Sequence, residues 1–254
     1  MAMYLGSKKV AVTNTVEKQV PSMKAFFDAG GKCQGSTATS FDGCWQYDDT
    51  ANVNNMLTMF KDCYNLTTIP ALNTSRVTSM YSMFYGCTRL TSVPLFDTSK
   101  VTNMVSMFEN CENLTSVPLF DTSNVTSISS MFRYCSSLVS VPQFDTSKVT
   151  GMSFTFNGCS RLVSIPQFDI SNVEYTSSML SGCSNLETIH MININADLNI
   201  SSSTKFTREA LLEIIGNLKS QTSGNKTLTM GSTNLAKLTD EDKAIATNKG
   251  WTLA

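Results

Sequence analysis

One residue step governs this chain. Cysteine stands at Cys63, Cys87, Cys111, Cys135, Cys159 and Cys183, and every gap is 24 residues. Proline keeps the step at Pro70, Pro94, Pro118, Pro142 and Pro166, and leucine keeps it at Leu66, Leu90, Leu114, Leu138, Leu162 and Leu186. A unit such as residues 100–123 carries Val101, Met104, Met107, Phe108, Cys111, Leu114, Val117 and Phe120, mostly three or four apart. Such a unit is too short to enclose a core alone, and its apolar columns are buried only when units stack as a solenoid. The repeat predicts an α/β, leucine-rich-repeat solenoid of six 24-residue repeats over residues 51–196. An N-terminal cap over 1–50 and a C-terminal α/β cap over 197–254 are expected to cover its ends.

Within the unit, Met104–Asn110 reads as a short helix or 3₁₀ turn that points Met107 and Phe108 inward. Thr115–Val117 reads as a short strand, followed by a proline whose missing N–H does little harm there. Met23, Phe26, Phe27 and Trp45 are expected to plug the first coil. Beyond Ile194 the pattern dissolves. Thr207 fits the N-cap of a helix whose apolar face is Leu211, Ile214, Ile215 and Leu218. Leu228–Met230 reads as a strand, Thr239 with Asp242 as a capping box, and Gly250 as the stop of a second helix. Trp251 and Leu253 then return to the body.

Charged residues make up only 15% of the chain and the net charge is −1, with Lys and Arg scattered. That excludes a clustered basic surface for nucleic acid or an anionic membrane. No N-terminal apolar stretch resembles a secretory signal, and no apolar run is long enough to span a bilayer.

The six column cysteines read as an unpaired core ladder, since cysteine is small, apolar and often buried. Cys33 and Cys44 lie off the period, and their pairing is left open. No Cys-x-x-Cys occurs, so no metal site is expected from cysteine. The sole histidine, His190, falls in the proline column and marks a degenerate terminal repeat. No catalytic residue and no cofactor is expected. Asp97, Asp121, Asp145 and Asp169 form one column that suits either a calcium ladder or a row of Asx turns. Asn73 and Asn193 at its ends favour turns, because Asn makes the same turn without charge. The Val-Thr pairs at 77–78, 101–102, 125–126 and 149–150 suit a hydroxyl ladder or simple solvated β-formers, and the latter is preferred.

Positions that differ between units are free to carry a specific surface. Two such columns lie four apart and share a face if the segment is helical: Leu57 with Lys61, Tyr81 with Tyr85, Val105 with Glu109, Ser129 with Arg133, and Ser153 with Asn157. Arg89 and Tyr134 extend that patch, and Leu95 and Leu119, after proline, are expected to be exposed. The candidate binding residues are therefore Leu57, Tyr81, Tyr85, Arg89, Leu95, Val105, Leu119, Arg133 and Tyr134.

The unit Val-Thr-x-Met-x-x-Met-Phe-x-x-Cys-x-x-Leu-x-Ser-Val-Pro-x-Phe-Asp-Thr-Ser resembles the BspA-like leucine-rich repeats of bacterial surface proteins. The resemblance implies a right-handed β/α superhelix, no catalytic residues, and adhesion to a host extracellular protein or a surface glycan from the cell surface or after secretion. The start of the chain and its Lys-Gly-Trp-Thr-Leu-Ala ending resemble segments of bacteriophage tail proteins, which implies instead a structural or receptor-recognition part of a phage particle.

Overall fold

The computed structural model describes residues 2–5, 8–11, 54–69, 71–222 and 226–254. Near the N-terminus, β1 (Ala2–Leu5) pairs antiparallel with β2 (Lys8–Ala11). The expected plug of Met23, Phe26, Phe27 and Trp45, together with Cys33 and Cys44, lies outside the described residues.

The repeat becomes a stack of coils. Parallel bridges run Asn55–Ser79–Asn103–Ser127–Gly151–Tyr175, each step being one repeat. The segment after each bridge, called here the arm, is where a helix was expected. It forms isolated i→i+3 turns instead. Met107, Glu109 and Cys111 donate N–H to the carbonyls of Met104, Ser106 and Phe108. The alternate N–H groups of Met104, Ser106, Phe108 and Asn110 leave the coil and donate to Ser127, Ser129, Met131 and Arg133 of the next. A helix cannot form because two residues per arm take a left-handed φ: Ser106 at 55° and Asn110 at 61°. Gly86, Gly158 and Gly182 fill the second of these positions in other coils, with φ from 74° to 81°.

Stacked arms bury two ladders of phenylalanine. Phe60, Phe84, Phe108, Phe132 and Phe156 stack with centroids 5.3 to 5.8 Å apart. Phe96, Phe120, Phe144 and Phe168 form the second, at 6.1 to 6.3 Å. The cysteine column lies beside them. Cys87, Cys111, Cys135, Cys159 and Cys183 are free and buried, and each thiol donates to a phenylalanine carbonyl of the preceding coil at 3.0 to 3.1 Å. Burial pushes the Cys87 and Cys183 thiols up to about 12 and the three between them well above the ordinary thiol range. The first member departs from the expected ladder of six free thiols: Cys63 is disulfide-bonded. It alone of the six has no described coil before it to offer a phenylalanine carbonyl.

The aspartate column forms Asx turns. Asp97, Asp121 and Asp145 each accept the N–H and hydroxyl of the serine two residues on, and Asn73 does the same. Asp169 accepts the Ser171 N–H at 2.9 Å and the Asn193 amide at 3.2 Å. The threonine column is exposed, in keeping with solvated side chains, and its hydroxyls also bond to backbone along the stack. Thr78, Thr102, Thr126 and Thr150 donate both N–H and hydroxyl to the carbonyl one repeat earlier. Their hydroxyls reach it because the coils stack in register.

The strand expected after each leucine is regular only at the end of the stack, where β3 (Ser164–Ile165) pairs parallel with β4 (Thr188–Ile189). Elsewhere the same edge holds single N–H to carbonyl bonds of 3.2 to 3.4 Å between Thr67, Thr91, Thr115, Val139 and Val163. Regular strand and helix are therefore concentrated in the C-terminal unit.

That unit is a three-stranded parallel sheet, β5 (Leu198–Asn199), β6 (Lys226–Thr229) and β7 (Trp251–Leu253) in that order. Helix α1 (Arg208–Gly216) crosses from β5 to β6, and α2 (Ser232–Leu235) and α3 (Asp240–Asn248) cross from β6 to β7. Thr207 caps α1 through the Ala210 N–H, and Thr239 with Asp242 forms the capping box of α3. Gly250, at φ 79°, ends α3 and turns the chain into β7. Leu211, Ile214, Ile215, Leu218 and Trp251 are buried in one core with the coils. The short α2 was not expected from the sequence. The strand begins two residues before the expected Leu228 and ends before Met230. Among the described residues no helix is long and apolar enough to cross a membrane.

Candidate recognition surface

The arms carry most of the candidate residues. Leu57, Tyr81 and Val105 occupy one column, two residues after the bridging residue. Their N–H groups are held by Asn55, Ser79 and Asn103, two residues before each. Leu57 is 50% exposed and Tyr81 38%, while Val105 is half-buried. Lys61, Tyr85, Glu109 and Arg133 occupy the second column. The expectation that the columns share a face rested on a helix that does not form. Neighbours are nevertheless made, between coils rather than along one: the Lys61 ammonium lies 4.9 Å from the Tyr85 ring centre, and Arg133 Nη1 lies 3.2 Å from Glu109 Oε1.

The arrangement is densest around Arg133. Its guanidinium lies 4.8 Å from the Tyr134 ring centre and 5.0 Å from that of Phe154. Nη2 also donates to the Tyr134 hydroxyl at 3.2 Å. Glu109, which neutralises it, is buried, and Arg133 Nε is buried without a hydrogen-bond partner among the described residues. Both aromatic neighbours are strained: Tyr134 has φ 60° and Phe154 φ 59°. Bulky side chains seldom adopt that conformation. In the same two columns the other coils place Thr, Ser, Asp, Asn or Gly. Gly158 makes the Tyr134 position possible, since a Cβ there would stand 2.5 Å from the ring. The left-handed φ itself belongs to the arm backbone of every coil; what is particular here is that two aromatic rings occupy such positions and pack on one guanidinium. Electrostatically the ridge alternates Lys61, Glu109 and Arg133 along one column, and aromatic rings cover the cations.

The remaining candidates are elsewhere. Arg89 is exposed and donates to Asn65 Oδ1 at 3.4 Å, on the stretch after the cysteine. Leu95 and Leu119, 66% and 61% exposed, stand beyond proline on adjacent coils, beside the buried Phe96 and Phe120. They form a separate apolar pair. Sequence reasoning missed Phe154. Its signal was present, since it stands where Ser82, Ser106, Ser130 and Ser178 stand in other coils. His190 Nδ1 lies 2.7 Å from Glu213 Oε1 and ties the end of β4 to α1.

A family model described as "Mycoplasma protein of unknown function, DUF285" matches residues 21–138 and again 115–210. Among solved structures the chain is similar to a leucine-rich repeat protein of T. pallidum, TpLRR, with 20% identity, 78% of this chain and 77% of that one covered, and a TM-score of 0.46. No curated protein matches it.

Proposed function

This chain belongs to the DUF285 family, and from that premise we propose that it is a non-enzymatic recognition module that docks a partner protein on the arm ridge around Arg133. The observation that carries the reading is the pair of strained aromatic residues, Tyr134 and Phe154, clamped on an arginine whose buried partner is Glu109. Tyrosine and arginine dominate binding energy at protein interfaces, particularly when preorganised. Exposed Leu57 and Tyr81 extend the ridge with apolar surface. Catalysis is a poor fit. The free thiols among the described residues are buried, and burial raises their pKa, while the one histidine is engaged by Glu213. In the adhesion role implied by the BspA-like resemblance, the partner is a host extracellular protein and the protein acts at the cell surface.

The test is binding of labelled protein to immobilised extracellular-matrix proteins, with the double variant Tyr81→Ser/Tyr134→Asn alongside. Ser129 and Asn110 already occupy those columns, so the fold tolerates both residues. Saturable binding to a matrix protein, weakened about tenfold or more in the variant, supports the reading. Equal binding by both proteins moves the site off the ridge, and no binding to any matrix protein removes the adhesive role.

A further inference from the structure

The last coil ends in a cleft. In each inner coil, alternate arm N–H groups donate to the next coil; those of Met152, Phe154, Phe156 and Gly158 reach the carbonyls of Tyr175, Ser177, Met179 and Ser181 at 2.8 to 3.0 Å. The equivalent donors of the last coil are Thr176, Ser178, Leu180 and Gly182. Gly182 donates to the Ser202 hydroxyl at 3.0 Å. The other three N–H groups find no acceptor among the described residues. Thr176 and Ser178 line an open cleft of about 230 Å³ between this coil and the C-terminal sheet, with Glu174, Tyr175, Asp197 and Lys226 around it.

Three features identify what suits the cleft. The donor row is closed at both ends, by the Thr176 hydroxyl bonding to the Asp197 carbonyl and by Ser202 at Gly182. A through-going peptide strand is thereby obstructed, and a compact ligand is favoured. Acceptors line the same cleft: Asp197 accepts the Thr227 N–H on Oδ1 at 2.7 Å and keeps its second oxygen, and Glu174 is exposed. Finally, Tyr175 is 62% exposed in a column that otherwise holds Asn55, Ser79, Asn103, Ser127 and Gly151. It gives up the small polar side chain that holds an N–H in four of those coils and brings a flat apolar ring in its place.

We propose that this cleft binds a saccharide, with the C–H face of a pyranose ring on Tyr175 and its hydroxyls bonded to the Thr176 and Ser178 N–H groups and to the Glu174 and Asp197 carboxylates. A sugar hydroxyl both donates and accepts, so mixed unpaired donors and acceptors beside an aromatic ring match it. The cleft is below the usual volume of drug-sized pockets, which fits one sugar residue, free or terminal. The site is independent of the arm ridge.

The ¹⁵N-labelled full chain is titrated with the methyl glycosides of glucose, galactose, mannose and N-acetylglucosamine, following the Thr176 and Ser178 amide resonances. At least one glycoside shifts both saturably, and Tyr175→Ser weakens that binding about tenfold. Ser79 and Ser127 occupy the same column, so this variant keeps the fold; an unchanged melting temperature checks it. No shift with any of the four, or equal affinity in Tyr175→Ser, overturns the site. Stronger binding of acetyl-Ala-Ala-amide than of every glycoside also overturns it, in favour of peptide recognition.

Discussion

The stack of coils and the C-terminal unit bury apolar side chains by different means. In the stack, each coil keeps i→i+3 turns for itself and gives alternate N–H groups to its neighbour. Its core is a set of columns in which like touches like: Phe on Phe, and cysteine beside cysteine. The C-terminal unit closes its hydrogen bonds within capped helices and a three-stranded sheet, and its core residues have no repeat. Left-handed residues are structural necessities in the arms, two to a coil, whereas among the described residues of the C-terminal unit they are confined to Gly231 and Gly250. Stability in the stack is therefore a property of neighbours, and in the C-terminal unit a property of elements.

The largest expected effect tests that neighbour dependence. Phe108 stacks on Phe84 and Phe132 and also meets Phe120. Phe108→Ala costs about 3–5 kcal/mol, read by urea unfolding. Amide exchange accelerates in the flanking coils and less in α3. Protection lost evenly through both regions would mean that they form one cooperative unit with no distinction between them.

One substitution should have opposite signs in the two regions. Gly158→Ala places a Cβ at φ 77° and against the Tyr134 ring, which destabilises by about 1–2 kcal/mol. Gly216→Ala, in α1 with nothing within 4 Å of the new Cβ, stabilises by about 0.5–1 kcal/mol. Melting temperatures of the pair decide it, and a shift of the same sign in both would erase the contrast. Thr207→Ala removes the N-cap bond to Ala210 and costs about 1 kcal/mol, with exchange rising only in α1.

The smallest effect is in pH. The hydroxyls and N–H groups of Ser99, Ser123 and Ser147 hold Asp97, Asp121 and Asp145 below the usual carboxylate range. Partial burial pushes Asp169 up, but its bonds from Ser171 and Asn193 outweigh that. A lowered folded-state pKa gives stability that is complete above the unfolded value, about 3.9, and is lost as pH falls through the folded one. The melting temperature of the stack should fall between about pH 4 and pH 2, and Asp121→Asn should flatten that fall while keeping the turn, as Asn73 does. An unchanged slope in the variant would remove the Asx turns from the acid response.

The stack was legible in the sequence because its physics is periodic. The cysteine, proline and leucine steps located the coils, and the Asn73 substitution distinguished turns from a cation ladder. Arm conformation was not legible, since apolar spacing of three and four is shared by helices and by successive i→i+3 turns. Only the glycines at 86, 158 and 182 betray the left-handed positions. Caps at Thr207 and Thr239 were readable because they are local chemistry, whereas α2 depends on packing and a Gly231 turn. At the ridge, the exposed tyrosines could be read as departures from a column. The Glu109–Arg133 pair and the Phe154 contact needed the stacking register before one coil could be placed against the next.

Residue-resolved amide hydrogen exchange tests the stacking of these coils most directly. Alternate N–H groups in the inner arms, those of Ser82, Phe84, Ser106, Phe108, Ser130 and Phe132, donate to the next coil and should exchange slowly. Thr176 and Ser178, the first two donor positions of the last arm with no coil to follow, should exchange fast. Equal rates at Ser106, Phe108 and Thr176 would contradict coil-to-coil donation and with it the stack.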